Sequence, residues 1–73
     1  MDSKSIIFVL DAGGTGFKFS AVQNYKEIID AFTIKTASDT LEEQLQKIIE
    51  GFRRTEELCG SKPAAISFCF PGP

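Results

Sequence analysis

Five apolar residues, Ile6-Ile7-Phe8-Val9-Leu10, run straight into a carboxylate, Asp11, and then into three glycines within four positions, Gly13, Gly14 and Gly16. That junction constrains the fold more than any other part of the chain. An all-apolar, β-rich run too short for a helix reads as a strand buried on both faces. The glycines neither extend a strand nor open a helix, so Asp11-Ala12-Gly13-Gly14-Thr15-Gly16 is a turn. Beyond it Phe17, Phe19 and Ala21 alternate with Lys18, Ser20 and Val22, the period of a second strand. A polar stretch, Gln23-Asn24-Tyr25-Lys26-Glu27, reverses the chain, and Ile28 to Thr36 reads as a third strand.

A helix follows. Ser38, Asp39 and Thr40 are N-cap candidates, and Thr40 with Glu43 has the spacing of a capping box. Leu41, Leu45, Ile48, Ile49, Phe52 and Cys59 draw one apolar stripe at helical period. Glu43 with Lys47 and Glu50 with Arg54 stand in the favourable i,i+4 order. Gly60 and Pro63 mark the stop. Ala64 to Phe70 is the last strand, with Ala64, Ile66, Phe68 and Phe70 on one face and Ala65, Ser67 and Cys69 on the other. Pro71-Gly72-Pro73 cannot continue its ladder. A right-handed crossover through the helix sets this strand parallel to the first. The predicted architecture is α/β, in the order β-β-β-α-β, with a mixed sheet ordered 3-2-1-4.

One helix covers one face of such a sheet. The other face, and the apolar edge of the last strand, then need partners. A chain of 73 residues buries too little surface to do without them. The expectation is therefore the opening of a longer protein, or a homo-oligomer. Ten acidic and eight basic residues, a net charge of −2, argue against a protein that grips nucleic acid by its phosphates. The absence of His removes Cys₂His₂ zinc sites and His general bases, and the two cysteines lack metal-ligand spacing. Ile6 to Leu10 is far short of a signal-peptide core or a membrane span. The chain reads as cytoplasmic, without membrane or nucleic-acid partners.

The glycine turn carries the chemistry. Its N–H groups are free to point at phosphate oxygens, and Thr15 adds a hydroxyl donor. A carboxylate at the end of a buried strand is costly unless paired, and a Mg²⁺ carried by a nucleotide would satisfy Asp11. Asp11, Gly13, Gly14, Thr15, Gly16 and Lys18 are the candidate residues for the phosphates of Mg·ATP, with Asp11 on the metal through water. Two other phosphate loops do not fit: Phe17 stands where a Walker loop has its Lys, and Phe19 where a Rossmann loop has its third Gly. The plainer reading of Asp11 is a cap on turn N–H groups, and of Lys18 a solvated strand residue. Ser67 and Cys69 read as small core residues, Cys59 as part of the helix core, and Asp30 as an exposed strand position.

Asp11-Ala12-Gly13-Gly14-Thr15-Gly16-Phe17-Lys18-Phe19 resembles the first phosphate motif of the hexokinase and ROK sugar kinases, members of the actin-like ATPase superfamily with its ribonuclease H-like fold. Ile66-Ser67-Phe68-Cys69-Phe70-Pro71-Gly72-Pro73 looks like that family's fourth strand and the loop after it. The resemblance covers essentially the whole chain but only the first part of a family member. It implies a partial nucleotide-binding subdomain over residues 1–73, ATP and Mg²⁺ as cofactors, and transfer of the γ-phosphoryl group of ATP to a sugar hydroxyl. Pro71 and Gly72 would stand at the edge of the sugar site. The family's catalytic base lies in a later motif, so residues 1–73 alone are expected to be inactive. Gly16 departs from the pattern, which usually has a polar side chain there. Two alternatives carry the same fold: a sugar-responsive transcriptional regulator, whose helix-turn-helix would precede Asp11, and another actin-like ATPase.

Overall fold

The structure, a computed structural model, describes residues 5–13, 15–36 and 40–69. Gly14, Ser38, Asp39, Phe70, Pro71, Gly72 and Pro73 lie outside the described residues. Strand β1 (Ile6–Ala12) runs between β2 (Gly16–Gln23), to which it is antiparallel, and β5 (Ala65–Cys69), to which it is parallel. The far side of β2 takes β3 (Lys26–Glu27) and β4 (Phe32–Lys35), both antiparallel. The expected order of strands is the observed one, with the third strand in two pieces.

The break in that strand has a local cause. Asn24 and Tyr25 both have positive φ, 54° and 64°, so the reversal is a two-residue turn that starts β3 at once. Ile28 N–H still reaches the Ala21 carbonyl, and then the chain leaves the ladder. Pairing resumes with Phe32 opposite Phe19, where an uninterrupted ladder would put Asp30. Asp30 is exposed as expected, but in the connecting loop and not in a strand. The extra residues keep the parity of the pleat, so Phe32 still faces the same side as Phe19.

Helix α1 (Leu41–Cys59) starts on the expected capping box: Glu43 N–H donates to Thr40 Oγ1 at 3.2 Å, and Thr40 N–H to Glu43 Oε1 at 3.1 Å. It ends at Gly60, whose N–H donates to the Glu56 carbonyl at 2.8 Å. Only part of the apolar stripe faces the sheet: Ile48 and Phe52 pack against the core and Cys59 is half-buried. Leu41, Leu45 and Ile49 are 73%, 52% and 60% exposed. The buried helix residues are Gly51 and Thr55, with Ile48 and Phe52 packed beside them. Gly51 sets this rotation. A Cβ on it would stand 2.0 Å from the tip of the Phe19 ring, so the ring lies directly on the helix backbone. Thr55 satisfies its buried hydroxyl by donating to the Gly51 carbonyl at 2.8 Å.

The core is therefore the helix-facing side of three strands: Phe8, Leu10 and Ala12 of β1, Phe17, Phe19 and Ala21 of β2, with Phe32 and Ile34 of β4. Phe52 joins them, 5.4 Å from Phe19 edge-on and 6.2 Å from Phe8. Each large side chain so buried contributes about 1.5–3 kcal/mol. Of the charged helix residues, Glu50 pairs with Arg53 at 3.6 Å, and the Arg54 guanidinium lies 4.6 Å over the Phe32 ring. The expected pairing of Glu50 with Arg54 gives way because Arg54 finds an aromatic face.

Candidate functional site

The pleat that buries Leu10 and Ala12 turns Asp11 to the opposite face. This second face carries Ile7, Val9 and Asp11 of β1, Lys18, Ser20 and Val22 of β2, and Ala65, Ser67 and Cys69 of β5. Among the described residues no element covers it. Three sequence expectations change on that account. β1 is buried on one face only, with Ile7 and Val9 half-buried. Asp11 is exposed rather than enclosed, so the carboxylate bears no cost of burial here. Ser67 and Cys69 are exposed too, not core. Cys59 is half-buried, its thiol donating to the Ser61 carbonyl at 3.3 Å.

Register then assembles the site residues. Asp11 is the direct cross-strand partner of Lys18 in β2 and of Cys69 in β5. Thr33 of β4 lies on the far side of Lys18. A row Thr33–Lys18–Asp11–Cys69 thus crosses the open face at the end of the sheet where the glycine turn begins. At the turn, Gly13 N–H donates to the Gly16 carbonyl at 2.8 Å, and Thr36 N–H to the Thr15 carbonyl at 3.0 Å. Thr15 is exposed and Thr36 is buried.

The glycines differ in their reasons. Gly16 is buried, and a Cβ on it would meet the Ile34 carbonyl oxygen at 2.8 Å, so β4 needs a glycine there to approach β2. The polar side chain usual at that place has no room in this chain. Gly13 has neither a left-handed φ nor a crowded Cβ position; the nearest atom to an added Cβ is the Gly16 carbonyl oxygen at 3.4 Å. Neither residue has a positive φ. Among the described residues nothing demands a glycine at 13.

Asp11, Gly13, Thr15, Gly16 and Lys18 are thus brought to one end of the sheet, while Gly14, Pro71 and Gly72 lie outside the described residues. Among the described residues no group of three or more His, Cys, Asp or Glu forms a metal cage. A single exposed carboxylate suits Mg²⁺ that arrives on phosphates and keeps its waters, and the Gly13 N–H is engaged by the Gly16 carbonyl within the turn. Thr36, whose N–H ties the turn to β4, carries no signature in the sequence. The described hollows lie elsewhere, one of about 410 Å³ between α1 and β5, lined by Phe8, Ile49, Phe52, Pro63 and Ile66. No described helix is long and apolar enough to cross a membrane.

Comparison with known proteins follows the same line. Strand order, parallel β1–β5 pairing and one helix on one face define the α/β unit that opens the actin-like ATPase, ribonuclease H-like fold of the ROK kinases. A glucokinase from Parabacteroides distasonis ATCC 8503 superposes with a TM-score of 0.83 at 44% identity, over 96% of this chain and 20% of that one. A ROK hexokinase from Thermus thermophilus gives a TM-score of 0.82 at 24% identity, over 93% of this chain and 23% of that one, a likeness of fold. Both neighbours match the ROK and hexokinase resemblance read from the sequence. The chain spans about a fifth of the length of the glucokinase it matches. No family model matches the chain, and neither does any curated protein.

Proposed function

We propose that this chain is the N-terminal nucleotide-binding part of an ATP-dependent sugar kinase, which transfers the γ-phosphoryl group of ATP to a sugar hydroxyl. The observation that carries this reading is Gly13, a glycine that neither its backbone conformation nor packing among the described residues requires, set beside the exposed Asp11. A glycine without an internal reason is accounted for by a ligand that must come close to the backbone. Phosphate oxygens are suited to that approach, with Thr15 supplying a hydroxyl donor and Lys18 a cation. When bound, Mg²⁺ would neutralise phosphate charge, and Asp11 would hold it through its waters. Phosphoryl transfer is mostly positioning and charge neutralisation. These residues supply the phosphate side of that work, and a catalytic base and most sugar contacts would come from elsewhere in the protein. The 44% identity to a glucokinase supports the sugar-kinase reading over a regulator or another actin-like ATPase.

Two variants of the full-length protein test the reading. Gly13→Ala should leave the unfolding midpoint unchanged or slightly raised while weakening Mg·ATP binding at least tenfold, measured by calorimetry. Asp11→Ala should lower kcat by about a hundredfold or more with the fold intact. Normal nucleotide affinity in Gly13→Ala, together with near-normal turnover in Asp11→Ala, makes the turn a plain strand reversal and Asp11 its cap.

A further inference from the structure

The end of β4 is held from two directions, and both holds meet at the glycine turn. From the sheet, Lys35 is the register partner of Gly16, and the next residue, Thr36, donates its N–H to the Thr15 carbonyl at 3.0 Å. From the helix, the Lys47 ammonium donates to the Lys35 carbonyl oxygen at 2.7 Å. That distance is the short end of the range for an N–H···O bond, as a charged donor makes it. Lys47 is half-buried, so its stem is laid down along the structure and not left to sweep through solvent.

β4 needs such a hold. It has four residues and pairs with β2 alone among the described strands. The ladder is broken just before it, and a two-strand edge pairing this short is weak by itself. Yet its last residues set where Thr15 lies. The carbonyl of Thr15 accepts from Thr36 N–H, and the Gly16 backbone is pressed against Ile34. Displacing the end of β4 therefore displaces the turn.

We infer that Lys47, remote from the turn in sequence, is a positioning residue for the phosphate turn: its ammonium pins the Lys35 carbonyl, which fixes Thr36 and, through it, Thr15. The inference rests on the kinase reading for its effect on nucleotide, and on geometry alone for its effect on the turn. Neutralising Lys47, by substitution or by acylation of its amine, would loosen the turn without touching any group in it.

The test uses the full-length protein and two readouts. Amide hydrogen exchange over residues 13–18 and 33–36 reports the turn directly, and calorimetry with Mg·ATP reports its use. Lys47→Met should speed exchange at the Gly13 and Thr36 amides about fivefold, the reach of one hydrogen bond, and weaken Mg·ATP binding by a similar factor. The nucleotide KM should rise with kcat unchanged at saturation. Lys47→Arg keeps a cationic donor and should restore both. Unchanged exchange in Lys47→Met, or an arginine that fails to restore protection, overturns the inference. If exchange responds as expected but the wild-type protein binds no Mg·ATP, the tether stands and the kinase reading fails.

Discussion

Gly51→Ala puts a methyl group where the helix meets the sheet. On helix propensity alone the change should stabilise, by about 1 kcal/mol, since Ala is the better helix former. The packing says otherwise. The added Cβ would lie 2.0 Å from one carbon of the Phe19 ring and 2.3 Å from two more. Carbon atoms in contact sit at about 3.5–4.0 Å, so ring or helix must retreat by roughly 1.5 Å. Phe19 has nowhere to go: it is fully buried, stacked on Phe32 at 5.4 Å and met edge-on by Phe52 at 5.4 Å. Overpacking of this kind costs about 1–3 kcal/mol where neighbours can relax, and more where they cannot. Lifting the helix instead would uncover Thr55, whose hydroxyl is bonded only within the helix, and part of Phe52. The expected net effect is a loss of at least about 2 kcal/mol, after the propensity gain is subtracted. Urea unfolding of the full-length protein, followed by circular dichroism, measures it. Phe19→Leu in the same background gives the ring's tip back as space, so the double variant should be more stable than the two single losses added, by about 1 kcal/mol or more. A Gly51→Ala protein stabilised by the propensity increment would refute the close contact.

Two further outcomes are expected. Thr40→Ala removes the side-chain half of the capping box, the bond that Glu43 N–H donates to Thr40 Oγ1, and should destabilise by about 1 kcal/mol in the same unfolding assay; a change within error would mean that the helix start is held by other contacts. The pure 73-residue chain should sediment as a self-associated species at micromolar concentration, because Ile66 and Phe68 stand 43% and 51% exposed on β5, an edge strand. Phe68→Lys should reduce that association, and a folded monomer with cooperative unfolding for the unsubstituted chain would show the core to be sufficient.

Much of this fold was legible because its signals are local. Thr40 and Glu43 announce a helix start, Gly60 an end, and the alternation of Phe17, Phe19 and Ala21 a strand. The order of strands followed from one crossover rule. What was not legible depends on contacts. Of the apolar stripe, Ile48, Phe52 and in part Cys59 turn inward while Leu41, Leu45 and Ile49 stay exposed, because the helix docks through Gly51 and Thr55, where a flat ring packs closest to a missing side chain. Asp11 looked buried because five apolar residues precede it, but among the described residues nothing covers it. The break at Ile28–Ala31 was hidden because Tyr25, a poor candidate for positive φ, takes the turn with Asn24. In the site, the meeting of Lys18 with Asp11 follows from the tight turn between their strands. Thr36 and Lys47 gave no signal, since each acts through a backbone carbonyl that any residue would provide.

The pleat of β1 has a consequence for how such a chain can change. Even-numbered residues of that strand, Phe8, Leu10 and Ala12, are committed to the helix side, and odd-numbered ones, Ile7, Val9 and Asp11, to the open side. Its neighbours β2 and β5 repeat the division in register. Substitution can therefore retune the open face, at the exposed Ser67 or Cys69, without disturbing the aromatic cluster around Phe52. Insertion cannot. One residue added between Phe8 and Asp11 would swing the carboxylate into the ring cluster and a core side chain out beside Lys18, losing packing and chemistry in the same step. Length in this strand is the invariant, and side-chain identity on its open face is the variable.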